Sequence, residues 1–336
     1  MTGPAPLAER FAQAREFTSS PLYRALARVV ADDPPLLGLA ARAPRGQQPT
    51  YLLFGAIHAL LLGGADHELA GFYPSIVGAA AARPPADAGP ALVSFGRAYA
   101  AEIADLVETR LVQTNNVKRS MALRLGLACV ASRLAPGEPV HLVEVGASAG
   151  VHLRCDRFGY RLGGRGFGDR GSPVQIDSRW ESRRPVPDLD AVPPLGRVIG
   201  VDLHPLDATD ADDRRWLEAL VWPENVHELD LLRRALAVVA ADPPEVRAGD
   251  AVDVCPAVAR ELPAGATRVV FEAATRMHVP VDARRAFDAA IEALGEAGPL
   301  YTVSLDGPLT VRGPRGEALA EARVDGHLEW VEPRDL

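Results

Sequence analysis

Five acidic residues stand at or just after the ends of short apolar runs: Glu144, Asp202, Asp250, Glu272 and Asp306. A carboxylate can accept a proton, orient an amine or hydrogen-bond a ribose. If the runs are parallel strands, these ends share one edge, and open α/β sheets bind ligands there. The acids are therefore expected to converge on one crevice. Glu144 opens the richest stretch, Glu144-Val145-Gly146-Ala147-Ser148-Ala149-Gly150. It reads as a strand end, a glycine turn and a helix start. Such a turn lets backbone amides approach a ligand, and a helix N-terminus favours negative charge. Glu144, Asp202 and Glu272 are the catalytic candidates; Gly146, Ser148 and Gly150 are the candidate ligand contacts. The same turn also satisfies Gly-x-Ser-x-Gly, which would make Ser148 a nucleophile. That reading needs a downstream histidine and acid, such as His278 or His327 with Asp250 or Asp306.

Other polar residues join the candidate list with two readings each. Gln113-Thr114-Asn115-Asn116 links two predicted helices, so Asn115 and Asn116 either cap the second helix or meet substrate. Arg119, one turn further on, and Arg154 beyond the glycine turn are candidate anion partners. His58 sits inside an apolar run; a lone histidine there is more often a hydrogen-bonded core residue than a ligand contact. The eight histidines and three cysteines show no zinc-type spacing, so no metal is expected.

The elements that must position these groups fall into two regions. Residues 1–135 read as helices. Ile103, Leu106, Val107 and Leu111 recur at helical spacing, as do Met121, Leu125 and Ala128. Residues 52–62 are apolar on nearly all sides and predict a buried helix. From residue 140 the rhythm alternates. Strands are predicted at 140–145, 197–201, 245–248, 268–271 and 300–305, with helices over 216–240 and 282–294. Short strands follow from 309 to 331. The expectation is an α/β protein: a helical N-terminal region (1–135), then a Rossmann-like, mainly parallel sheet with an antiparallel C-terminal edge (136–336). Residues 156–194, rich in glycine, arginine and proline, read as an insertion or lid.

Composition narrows the chemistry. The 336 residues are 48% hydrophobic, enough for a sizeable core, and carry a net charge of −8 with no dense basic patch. Nucleic acid is therefore not an expected partner. No apolar run is long enough to span a bilayer and no signal peptide is visible, so a cytoplasmic protein without a membrane partner is expected. The scattered cysteines read as reduced thiols. Lys118 is the only lysine, which leaves Schiff-base chemistry a single carrier, and no Walker-type phosphate loop is present.

Two resemblances add to this reading. The strand-end acids and the turn Glu144-Gly146-Ser148-Gly150 resemble the class I methyltransferases that use S-adenosylmethionine. The resemblance implies a nucleoside cofactor, with Asp202 on its ribose. It departs from the usual motif in having Ser148 at the middle glycine. Asp202 also lies farther along the chain than the acid of a compact dinucleotide unit. Over nearly its whole length the chain resembles an actinobacterial family known as DUF2332. The phrases carrying this are Leu53-Phe54-Gly55-Ala56-Ile57-His58, Asp66-His67-Glu68-Leu69-Ala70-Gly71-Phe72-Tyr73-Pro74-Ser75, Gln113-Thr114-Asn115-Asn116-Val117, the glycine turn, and Gly326-His327-Leu328-Glu329-Trp330. That family is in turn similar to the large subunit of aziridine-forming enzymes of azinomycin-type pathways. The similarity implies closure of a three-membered ring as an amine displaces a neighbouring sulfate, with no cofactor, an amine-bearing small-molecule substrate and a small second protein subunit. Methyl transfer is the alternative. A non-catalytic scaffold for a small partner is the third reading.

Overall fold

The structure, a computed structural model, describes residues 4–335. Tertiary contacts divide the chain into two compact units. One runs to Thr114 and takes in Asp210–Arg233; the other holds Asn115–Thr209 with Arg234–Leu336.

The first unit is helical. Proline opens its helices where no amide partner is needed, and side-chain caps satisfy the exposed amides beyond it. Ser20 caps Pro21–Asp32 by accepting from the Tyr23 amide. Asp33 caps Pro34–Ala40 by accepting from the Leu36 amide. The apolar Pro49–Leu62 helix is buried almost all round, as its composition predicts. It lies close to the Ala211–Ala219 helix. A methyl group at Gly55 would stand 3.1 Å from the Trp216 ring, so glycine there permits the approach.

The second unit is built on an eleven-stranded sheet. Its strands are β1 (Val140–Val145), β2 (Gly159–Leu162), β3 (Arg165–Gly168), β4 (Gln175–Trp180), β5 (Leu195–Asp202), β6 (Glu245–Ala248), β7 (Thr267–Ala273), β8 (Leu300–Leu305), β9 (Leu309–Arg312), β10 (Ala318–Val324) and β11 (Trp330–Asp335). They lie in the order β3-β2-β4-β11-β10-β9-β8-β7-β1-β5-β6. The run β6-β5-β1-β7-β8 is parallel throughout, and β8 to β11 are antiparallel. This is the expected α/β class. Segment 156–194, expected as an insertion or lid, supplies β2, β3 and β4, which extend the sheet beyond β11. One face of the parallel block is closed by Cys255, Val258, Phe287 and Leu294 against Val143, Val145, Ile199, Val201 and Val270. On the other face Gly126, in the helix Ser120–Ala131, lies so close to Val303 that a methyl there would stand 2.4 Å from it.

Strand order decides where a ligand crevice can lie. Within the parallel block the strands after β1 are laid down as β5 and β6 on one side, then β7 and β8 on the other. The order reverses between β1 and β7. In open parallel sheets the crevice opens at the carboxyl ends of the strands at that point.

Candidate functional site at the β1–β7 edge

Glu144 and Glu272 stand on the two strands that flank this reversal. Register pairs Glu144 with Phe271 and Val145 with Glu272. Successive side chains of a strand point to opposite faces. The two carboxyls therefore share an edge and leave the sheet on opposite faces, so the expected convergence of the acids on one crevice is corrected.

Glu144 is 2% exposed, and its Oε2 has no hydrogen-bond partner. Burial pushes its carboxyl well above the usual range, and the nearby charge of Asp202 adds to the shift. Phe271 is its register partner on β7. His152 packs T-shaped on Phe271, with ring centroids 5.6 Å apart. Its Nδ1 lies 2.8 Å from Ser120 Oγ. Burial first, and then the charge of Arg119, press the His152 pKa down to about 3.

Arg119 ends the 3-10 turn Val117–Arg119 and precedes the Ser120–Ala131 helix. Its guanidinium is largely buried, and its hydrogen bond is a long one, Nη1 to the Ala273 carbonyl at 3.4 Å. Burial lowers its pKa, and the opposing carboxylate of Asp306 raises it. A planar guanidinium has five N–H donors. Arg119 therefore keeps donors for an incoming anion. On the other face, Glu272 is held by Ser304 Oγ, which donates to Oε1 at 2.5 Å, and by the Arg276 amide, which donates to Oε2 at 3.3 Å. Burial raises its pKa, the Ser304 bond opposes this, and Asp306 adds to it. Asp306, just past β8, has a buried Oδ1 with no partner.

The glycine turn is a structural joint. Gly146, Ser148 and Gly150 all have positive φ, at 82°, 49° and 72°. Alternating left-handed residues cannot continue an α-helix. The expected helix start is accordingly a six-residue 3-10 segment, His152–Arg157. The amides of Gly146 and Ala147 donate to the Val201 carbonyl, and that of Gly150 to the Ala147 carbonyl. The Ser148 amide donates to Asp202 Oδ2 at 2.8 Å. These amides are bonded within the fold, so an anion would be met by side chains. Gly146 is required by proximity: a Cβ there would stand 2.1 Å from Thr275 Oγ1, which itself donates to the Val145 carbonyl at 3.0 Å. The loop after β7 thus lies directly on the turn after β1.

Residues 6–332 match a bacterial family described as an uncharacterized protein conserved in bacteria (DUF2332). The chain belongs to this family. No curated protein and no solved structure matches it.

In this DUF2332 chain the remaining sequence candidates separate clearly. Asp202 ends β5 and acts as a clamp. Its Oδ2 accepts from Ser148, its Oδ1 from the His204 amide at 2.9 Å, and its carbonyl from Gly249 at 2.8 Å. Asp250 caps the Ala251–Glu261 helix through the Val252 amide. Asn115 Nδ2 donates to Ser148 Oγ at 2.8 Å, steadying the turn. Among the described residues no histidine bonds Ser148, so the nucleophile-elbow arrangement is not formed. Asn116 is a cap, its Oδ1 accepting from the Lys118 amide at 3.0 Å. Gly150 and Arg154 lie against the start of β6. A Cβ on Gly150 would meet Pro244, and Arg154 donates to the Asp242 carbonyl at 2.7 Å and pairs with its carboxylate. Both partners precede β6, at its amino end. His58 belongs to the helical unit, where both ring nitrogens are bonded.

Sequence reading passed over His152, Ser120 and Thr275, because pairs such as Ser120–His152 join residues 32 apart with no local pattern. Asp306 was visible as a strand-end acid. Among the described residues no group of three or more His, Cys, Asp or Glu is placed to hold a metal ion. Among them also, no helix is long and apolar enough to cross a membrane.

Proposed function

We propose that this protein acts on a small molecule bearing an amine and an anionic leaving group, and closes an aziridine ring by internal displacement. The observation that carries the reading is Glu144: a buried carboxyl, raised in pKa, with an unpartnered oxygen at the point where the strand order reverses. A buried acid without a partner is costly unless a ligand supplies one. A substrate ammonium would, and its positive charge would hold Glu144 ionised in the complex. The ammonium passes one proton to the Glu144 carboxylate, the freed nitrogen lone pair attacks the neighbouring carbon, a C–N bond forms and the C–O bond to sulfate breaks. The electron pair leaves with sulfate, and the product departs as the protonated aziridine. A raised pKa makes that carboxylate the stronger base. Arg119, with donors to spare beside the Ala273 carbonyl, meets the departing anion. Holding the chain of atoms aligned would supply much of the rate.

The reaction needs no cofactor. Asp202, the ribose acid of the methyltransferase resemblance, is engaged by the Ser148 and His204 amides, and Ser148 stands buried in the turn; both favour ring closure over methyl transfer. A small second protein subunit remains part of the proposal through the family resemblance.

The binding half is testable on the chain alone. By calorimetry, 2-aminoethyl hydrogen sulfate and longer 2-aminoalkyl sulfate esters should bind, and Arg119→Ala should weaken them by about tenfold or more. Sulfate release measured by ion chromatography should accompany aziridine signals in NMR, and Glu144→Gln should slow it by about a hundredfold or more. Failure of every ester to bind the folded chain refutes the reading. Saturable binding of S-adenosylmethionine would put methyl transfer in its place.

A further inference from the structure

The helical unit holds a serine–histidine pair that the proposed reaction does not use. His58 is fully buried in the Pro49–Leu62 helix. Its Nδ1 lies 3.0 Å from the Ala219 carbonyl, and its Nε2 lies 2.8 Å from Ser75 Oγ. The proton positions follow from these partners. A carbonyl can only accept, so Nδ1 must carry a proton. Burial presses the His58 pKa down to about 4, so the ring is neutral near neutral pH and its Nε2 is bare. The Ser75 hydroxyl is then the donor in the second bond. This is the arrangement of an activated serine: the hydroxyl donates to a base whose other nitrogen is oriented by a third group.

Burial also protects the arrangement from competition. The His58 ring packs against Tyr73 with centroids 5.3 Å apart. Tyr73 itself has a buried hydroxyl with no partner, a donor beside the pair. Ser75 is half-buried in the short helix Pro74–Val77, whose last residue and the residues 78–81 after it are exposed. The pair therefore lies beside an exposed stretch of chain.

We propose that Ser75 and His58 form a second reactive site, an acyl-transfer dyad that takes small carboxylic esters. Ser75 Oγ adds to the ester carbonyl and its proton moves to His58 Nε2. That proton then leaves with the alcohol as the ester C–O bond breaks. Water, handled by the same base, hydrolyses the acyl-serine and returns both residues to their starting state. The site lies in the helical unit and uses none of the strand-end acids, so its failure leaves the Glu144 proposal untouched.

Diisopropyl fluorophosphate tests the dyad on the whole chain. The serine oxygen would bond to phosphorus as the P–F bond breaks, fluoride taking the electron pair and the proton departing through Nε2. The expected result is one adduct by intact mass, mapped to the peptide holding Ser75 and absent in Ser75→Ala. His58→Asn keeps an N–H for the Ala219 carbonyl and deletes the base, and should slow labelling by about a hundredfold. A folded wild-type chain left unlabelled overturns the proposal. So does an adduct formed equally in Ser75→Ala, or labelling of His58→Asn at the wild-type rate. If His58→Asn does not fold, wild type and Ser75→Ala decide the matter.

Discussion

Replacing Glu144 by glutamine should change how stability depends on pH. The substitution keeps the shape of the side chain and removes its ionisation. In the folded protein the carboxyl titrates well above its ordinary value of 4.5, chiefly because it is buried and secondarily because of Asp202. As pH rises past that value, the unfolded chain releases this proton while the folded chain retains it. Stability linked to Glu144 is therefore fully present below about pH 4.5 and is lost as pH climbs toward the folded value. The loss is about 1.4 kcal/mol for each pH unit over which the folded group stays protonated. For a domain of about 150–250 residues, about 1 kcal/mol moves the melting temperature by about 2–4 °C. The variant lacks this term, so its Tm relative to wild type should rise by about 3–5 °C per pH unit from about pH 5 until the folded carboxyl titrates. Circular dichroism melts of both proteins at pH 5.5, 6.5 and 7.5 measure the difference directly. Other acids, Glu272 included, titrate in both proteins and cancel. A Tm difference that stays constant with pH refutes the reasoning, since it would mean that Glu144 ionises as freely in the folded protein as in water.

Gly146→Ala should lower stability by about 1–3 kcal/mol in urea unfolding, because its φ of 82° and the Thr275 side chain 2.1 Å away both oppose a Cβ. Thr275→Gly in the same chain should recover part of that loss, and no recovery would show that the clash is not the cause. Asp202→Asn can accept only one of the two amide bonds from Ser148 and His204, and should destabilise by about 1–3 kcal/mol. An unchanged urea midpoint would deny the clamp. Asn116→Ala removes the cap on the Lys118 amide and should lower stability by about 1 kcal/mol without altering sulfate-ester affinity. Weakened binding would instead make Asn116 a ligand contact.

The sequence by itself determined a good deal here. Apolar runs ending in acids marked β1, β5, β7 and β8, and in β1 and β7 burial on both faces makes the run nearly continuous. Proline, serine and aspartate marked the helix starts at Pro21 and Pro34 through local capping chemistry. The positions of Gly146 and Gly150 announced a tight turn. Each of these signals lies within a few residues of its effect. Tertiary structure decided what the same residues face. Glu144 and Glu272 look equivalent in the sequence, yet the β1–β7 register sends them to opposite faces, because a shift of one residue exchanges every side chain between faces. Asp202 reads as a free acid until the turn after β1 folds back onto it. Residues 210–233 leave the sheet unit for the helical one, and β2 to β4 turn a glycine-rich insertion into sheet, each through partners far along the chain. The lone carboxyl of Glu144 and the Ser75–His58 pair likewise exist only once distant segments have excluded water around them, since burial and pairing belong to the packed chain.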